Sequence, residues 1–168
     1  MTACRKILLD FLLILLSAAK DIRLNDSSIE HNVIMKKLIL TALIGEPNTA
    51  YAQYFVGNSY LAPLSAAQIP FSNVTFEPGC RNNWHIHKAT SGGGQMLVGV
   101  AGRGWYQEEG KPAVEILPGT VIHIPANVKH WHGAVKDSWF AHLAFSVPGE
   151  NTSNEWLEPV DEAAYFAL

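Results

Sequence analysis

The chain has 168 residues, 48% of them hydrophobic and only 16% charged, with a formal net charge of -3. That length supports one well-filled core and leaves too little for two. Lys and Arg never run beyond two together, which excludes the basic footprint expected of a nucleic-acid partner.

Residues 7–19, ILLDFLLILLSAA, follow Arg5 and Lys6 and end in small residues, the outline of a secretory signal cleaved after Ala19. Asp10 interrupts that outline, and the stretch is too short to span a bilayer, so no membrane partner is expected. A second methionine, Met35, stands before the apolar LILTALIG. Residues 1–34 are therefore read as an extension or possible targeting segment and 35–168 as the domain. Cytoplasm is the expected location, with export only if the apolar segment is a working signal.

From Tyr51 onward short runs rich in Val, Ile, Phe, Trp and Tyr alternate with Gly and Pro. The strand candidates are AQYFVGNSYL, SNVTFEPG, WHIHK, QMLVGVAG, GWYQEEG, AVEILPG, TVIHIP, KHWHGAV and WFAHLAFSV. Glu108 to Lys111 and Pro118-Gly119 mark tight turns. An all-β domain follows, with the strands expected as an antiparallel meander closed into a barrel. The tail after Pro148 starts polar and then carries Trp156, Leu157 and Tyr165, enough for a closing segment to dock. Cys4 and Cys80 give no disulfide framework, and Cys80, lacking a CxxC partner, reads as a small buried residue.

Seven histidines occur, and all but His31 fall between residues 85 and 142. His85 and His87 are two apart in a strand candidate, so both rings point to one face. His130 and His132 repeat the arrangement, with Trp131 on the opposite face. Two such pairs inside one small barrel make a pocket able to chelate a metal. If Lys136, Asp137 and Ser138 form a three-residue hairpin loop, Val135 pairs with Trp139 and His132 lies opposite His142 on the inner face; a two-residue turn would send His142 outward. His132 and His142 are thus the acid/base candidates, since an imidazole exchanges a proton near neutral pH. His123 reads as a structural residue. Trp84, Trp105, Trp131 and Phe140 read as core, Tyr106 and Gln107 stay open, and Arg81 reads as a solvated turn residue rather than a carboxylate-binding one.

At these residues the chain resembles a known family. Gly79-x5-His85-x-His87 followed by Gln95-x6-Gly102 is similar to the first cupin motif, and Gly119-x5-Pro125-x-Asn127-x2-His130 to the second; the match covers about residues 48–160. NVTFEPGCRNNWHIH, SGGGQ, VKHWHGA and DSWFAHLA look like the cupins associated with carboxymuconolactone decarboxylases and the manganese-dependent cupin hydroxynitrile lyases. The resemblance implies a double-stranded β-helix, or jelly-roll, barrel and one divalent metal held by His85, His87, Gln95 and His130. Manganese comes first by resemblance, with Fe, Ni, Co or Zn suiting the same donors.

Two positions depart from the general pattern. The fourth ligand is usually a glutamate soon after the second His, whereas here a longer KATSGGG loop leads to Gln95; Gly92, Gly93 and Gly94 can supply the backbone angles that such a loop needs. Asn127 stands where the motif has Gly, and Asn is the best replacement at a left-handed position. A neutral Gln95 would leave the metal its full charge and polarise a bound oxygen more strongly.

The expected function is lyase- or isomerase-like chemistry on a small organic substrate polarised at the metal, with His132 or His142 moving a proton. Fe(II) dioxygenase chemistry is a variant, and a non-catalytic metal- or small-molecule-binding module is the alternative from another class. AQYFVGNSYL lacks charges that would guard an edge, so a homodimer is expected.

Overall fold

The structure, a computed structural model, describes residues 44–168, so the expected boundary between residues 34 and 35 and the apolar segment 7–19 lie outside the described residues. Among the described residues no helix is long and apolar enough to cross a membrane.

Two antiparallel sheets face each other, as expected of a jelly roll. The first runs β1 (Glu46–Pro47), β3 (Ser59–Ser65), β4 (Phe71–Phe76), β13 (Phe140–Ser146), β8 (Gln95–Gly102), β11 (Val121–Ile124). The second runs β10 (Val114–Ile116), β9 (Gly104–Glu108), β12 (Lys129–Ala134), β5 (Arg81–Asn82), β2 (Phe55–Val56). In it β12 also pairs β6 (His85–Lys88), which in turn pairs β15 (Ser153–Trp156). A small ribbon joins β7 (Ser91–Gly92) to β14 (Gly149–Glu150).

This order corrects the expected meander. Consecutive strands are repeatedly sent to opposite sheets: β8 and β9 are separated only by Arg103, yet β8 lies beside β13 in one sheet and β9 beside β12 in the other. At this corner Gly102 takes φ 68°, where an added Cβ would run into the Trp139 carbonyl oxygen, and Gly104 lets the Phe140 ring pack close against the strand. Alternation in sequence fixes which face of a strand is apolar, but it does not name the neighbour.

The main core draws Val74, Phe76, Leu97, Ile124 and Phe140 from the first sheet and Tyr106, Ile116 and Ala134 from the second, with Cys80 between them. Burial of a side chain such as Phe76, Leu97 or Ile116, each at 0% exposure, contributes about 1.5–3 kcal/mol. A second cluster forms outside the second sheet, where Trp131 is covered by Val160 and Tyr165 with Trp84 and Trp105 alongside. Tyr165 belongs to α1 (Glu162–Phe166), whose N-cap Asp161 accepts the Ala164 N–H at 2.8 Å. The tail thus docks as expected, but as a strand and a helical turn.

AQYFVGNSYL is not one strand. Thr49–Tyr54 is a 3-10 helix, β2 follows, and Gly57 at φ 86° turns the chain into β3.

Candidate metal centre

Strand β6 carries His85 and His87 on one face, and its partner β12 sets His130 directly opposite His85. The ring centroids are 4.1 Å apart for His85 and His130, 5.1 Å for His85 and His87, and 5.3 Å for His87 and His130. One potential ligand atom from each of the three lies within 4.8 Å of the others.

The tautomers follow from the neighbours. His85 Nδ1 lies 2.9 Å from the Asn83 carbonyl, His130 Nδ1 2.9 Å from the Val128 carbonyl, and His87 Nδ1 2.7 Å from Asn154 Oδ1. An amide oxygen only accepts, so each Nδ1 carries a proton and donates it, and Nε2 is then the nitrogen of each ring that a metal would take. Nε2 of His87 and of His130 are buried without a hydrogen-bond partner, which is costly unless another group takes up those lone pairs. Burial, reinforced by the neighbouring His130 and His87, holds His85 well below its ordinary pKa; burial lowers His130 to about 4. Convergent imidazoles with outer oxygens on their other nitrogens fit a divalent first-row metal.

Gln95 opens β8 on the same strand face as the core residue Leu97, and its Oε1 is likewise buried with no partner. The loop that leads there uses left-handed backbone as expected, with φ 60°, 74° and 95° at Gly92, Gly93 and Gly94. At Gly94 an added Cβ would come 2.3 Å from the Ile124 carbonyl oxygen. Asn127, at φ 65°, clasps the same loop: its side chain accepts from the Ala89 N–H and donates to the Ala89 carbonyl, at 3.2 and 2.9 Å.

His132 and His142 meet, but by a different route from the hairpin expected. Strands β12 and β13 lie in opposite sheets and do not pair. The register of β13 on β8 slips between Ala141 and His142, leaving Val100 as the extra residue, and His142 lies opposite Gly99. Its Nε2 reaches His132 Nδ1 at 3.2 Å across the interior, and both rings are buried. His132 is held well below its usual pKa by burial first and then by His142 and the other histidines, while burial lowers His142 to about 4.

Several residues around the site carry no motif. Trp156 stacks on His85 with centroids 4.7 Å apart and is itself stacked by Tyr54 at 4.6 Å. Tyr106, one of the open residues, is buried with its ring 5.8 Å from His130 and donates its hydroxyl to Glu108 at 3.1 Å. Glu108 lies opposite His130 in the β9–β12 ladder, and the Lys111 ammonium, foremost among its neighbours, holds its carboxyl below the usual range. The other open residue, Gln107, faces outward and accepts from Trp131 Nε1 at 2.8 Å.

His123 is exposed and stands outside the histidine cluster. Cys80 is buried as expected, and burial pushes its thiol up to about 12. Arg81 corrects its reading as a solvated turn residue: it is only 3% exposed, because Tyr165 folds over it, with the guanidinium carbon 4.1 Å from the ring centroid.

No protein-family model matches the chain. Among curated proteins it is similar to an (R)-mandelonitrile lyase from Granulicella tundricola, 38% identical over 118 residues that cover 68% of this chain and 87% of the relative. Among solved structures it is similar to a cupin-like protein from Thermotoga maritima, with a TM-score of 0.63 and 36% identity over 72% of this chain and 90% of that one. A DMSP lyase from Ruegeria pomeroyi shares the fold at a TM-score of 0.50 and 18% identity, over 68% of this chain and 57% of that one. With that identity and coverage added to the two facing sheets and the histidine cluster, the chain belongs to the cupin superfamily as one of its small members.

Proposed function

We propose that this cupin is a metal-dependent lyase that cleaves a small cyanohydrin-type substrate. The observation that carries the proposal is the set of three histidines whose Nδ1 atoms are all engaged by oxygen acceptors while their Nε2 lone pairs are left for a ligand. His85, His87 and His130 would hold a divalent metal with Gln95 Oε1 as the fourth donor, manganese being the first choice. A bound cation there would supply polarisation of the substrate oxygen or nitrile.

The chain's own part is proton transfer between buried side chains. The pair His132 and His142 shares one hydrogen and, its rings being held neutral by burial, presents an unprotonated nitrogen at neutral pH, which would take the hydroxyl proton as the carbon–carbon bond to the nitrile breaks. The electron pair of that bond leaves with cyanide, the carbonyl forms, and the same proton returned to cyanide balances the reaction. The similarity to an (R)-mandelonitrile lyase supports this substrate class.

The test is release of benzaldehyde from mandelonitrile by the manganese-loaded protein, with His85→Ala and His132→Ala beside it. Turnover lost in both variants is expected; a wild-type protein with bound metal and no turnover of any cyanohydrin would overturn the proposal.

A further inference from the structure

Strand β5 holds only Arg81 and Asn82, and Asn82, 2% exposed, turns inward beside the histidine pair. Its Oδ1 accepts the backbone N–H of His132 at 2.9 Å. That bond sets the rotation of the amide, so its NH2 end must be the one that meets the His132 ring. The nitrogen lies 3.1 Å from Nε2 and 3.3 Å from Nδ1. An atom nearly equidistant from both ring nitrogens at this range cannot lie in the ring plane, where Cε1 and its hydrogen stand between them; it lies over the ring face. Phe76 meets the same ring at 82° with centroids 5.9 Å apart. The in-plane direction from Nδ1 stays open for His142 Nε2 at 3.2 Å.

We infer that Asn82 is a positioning residue: one amide grips both the backbone and the ring face of His132 and so aims Nδ1 at His142. A histidine ring turns over a broad range about its outer torsion, and a contact on its face, anchored at the neighbouring backbone, narrows that range. Buried polar contacts of this kind fix geometry where packing alone does not. The inference rests on the reading of His132 and His142 as the proton-moving pair, but its structural content can be tested without turnover.

The test is nitrogen NMR of histidine-labelled, zinc-exchanged protein, comparing wild type with Asn82→Ala and Asn82→Thr. The threonine variant keeps an oxygen for the His132 N–H and uncovers the ring, so it serves if the alanine variant fails to fold. A coupling across the hydrogen bond between His132 Nδ1 and His142 Nε2 is expected in the wild type and lost in the variants. Mandelonitrile cleavage should fall on the order of tenfold to a hundredfold in kcat, with KM little changed. A coupling that persists in the variants, or is absent from the wild type, overturns the inference. Loss of the coupling with unchanged turnover would uphold the positioning role and sink the proton-moving role of the pair.

Discussion

At the scale of single residues, a metal site is legible in sequence only where backbone geometry forces side chains together. His85 and His87 share a face because strand side chains alternate, and a ladder brings His130 to them; no comparable rule points to Asn154, which arrives from β15 to hold His87 Nδ1. Asn82 and Glu108 escape notice for the same reason, since asparagine and glutamate near turns carry no pattern. Two predictions belong here. Asn154→Ala should lower metal affinity about 10–100-fold without unfolding the protein, measured by competition with a chelating dye; unchanged affinity would contradict the outer-oxygen role. The second concerns acid. Burial lowers His130 and His142 to about 4 in the folded chain, against an ordinary value near 6.5 in the unfolded one. Between those values the unfolded chain binds protons that the folded one refuses. Stability of the metal-free protein should therefore be flat above about pH 6.5 and fall by about 1.4 kcal/mol per pH unit for each such histidine down to about pH 4. Urea unfolding at neutral and mildly acid pH checks the slope, and a slope of opposite sign would contradict it.

At the scale of elements, the strands from β8 to β13 were readable because alternation and Gly or Pro turns agree there. AQYFVGNSYL misleads because β-formers do not report a break, and Ala52 to Tyr54 serve a 3-10 turn instead of the edge expected. Neither of the two turns that the sequence leaves open after Val135 accounts for the meeting of His132 with His142: the strands lie in two sheets, and the slipped register at Val100 brings the rings together. The tail matters more than its polar start suggests. Tyr165 donates its hydroxyl to the Ala134 carbonyl at 2.8 Å and covers both Trp131 and Arg81. Tyr165→Phe should cost about 1 kcal/mol and Tyr165→Ala about 3–5 kcal/mol in chemical denaturation. A change within about 0.5 kcal/mol for the alanine variant would show that the tail is not part of the cooperative fold.

At the scale of the whole molecule, the proposed ligands come from both sheets. His85, His87 and His130 stand on the second sheet, while Gln95 and His142, the proposed proton partner of His132, come from the first. Such a site is complete only when the sheets pack, so metal bound there would be linked to folding. Metal at a hundred times its dissociation constant should stabilise the protein by about 2.7 kcal/mol, and His85→Ala should abolish that gain. The homodimer remains a proposal, checked by light scattering against the 18.4 kDa chain mass. The most direct test of the central claim is elemental analysis of protein purified without added metal or chelator, beside His85→Ala and His130→Ala. About one equivalent of a transition metal, lost in both variants, is the result expected; no metal bound, even after loading with Mn, Fe or Zn, would contradict the metal centre and the lyase chemistry built on it.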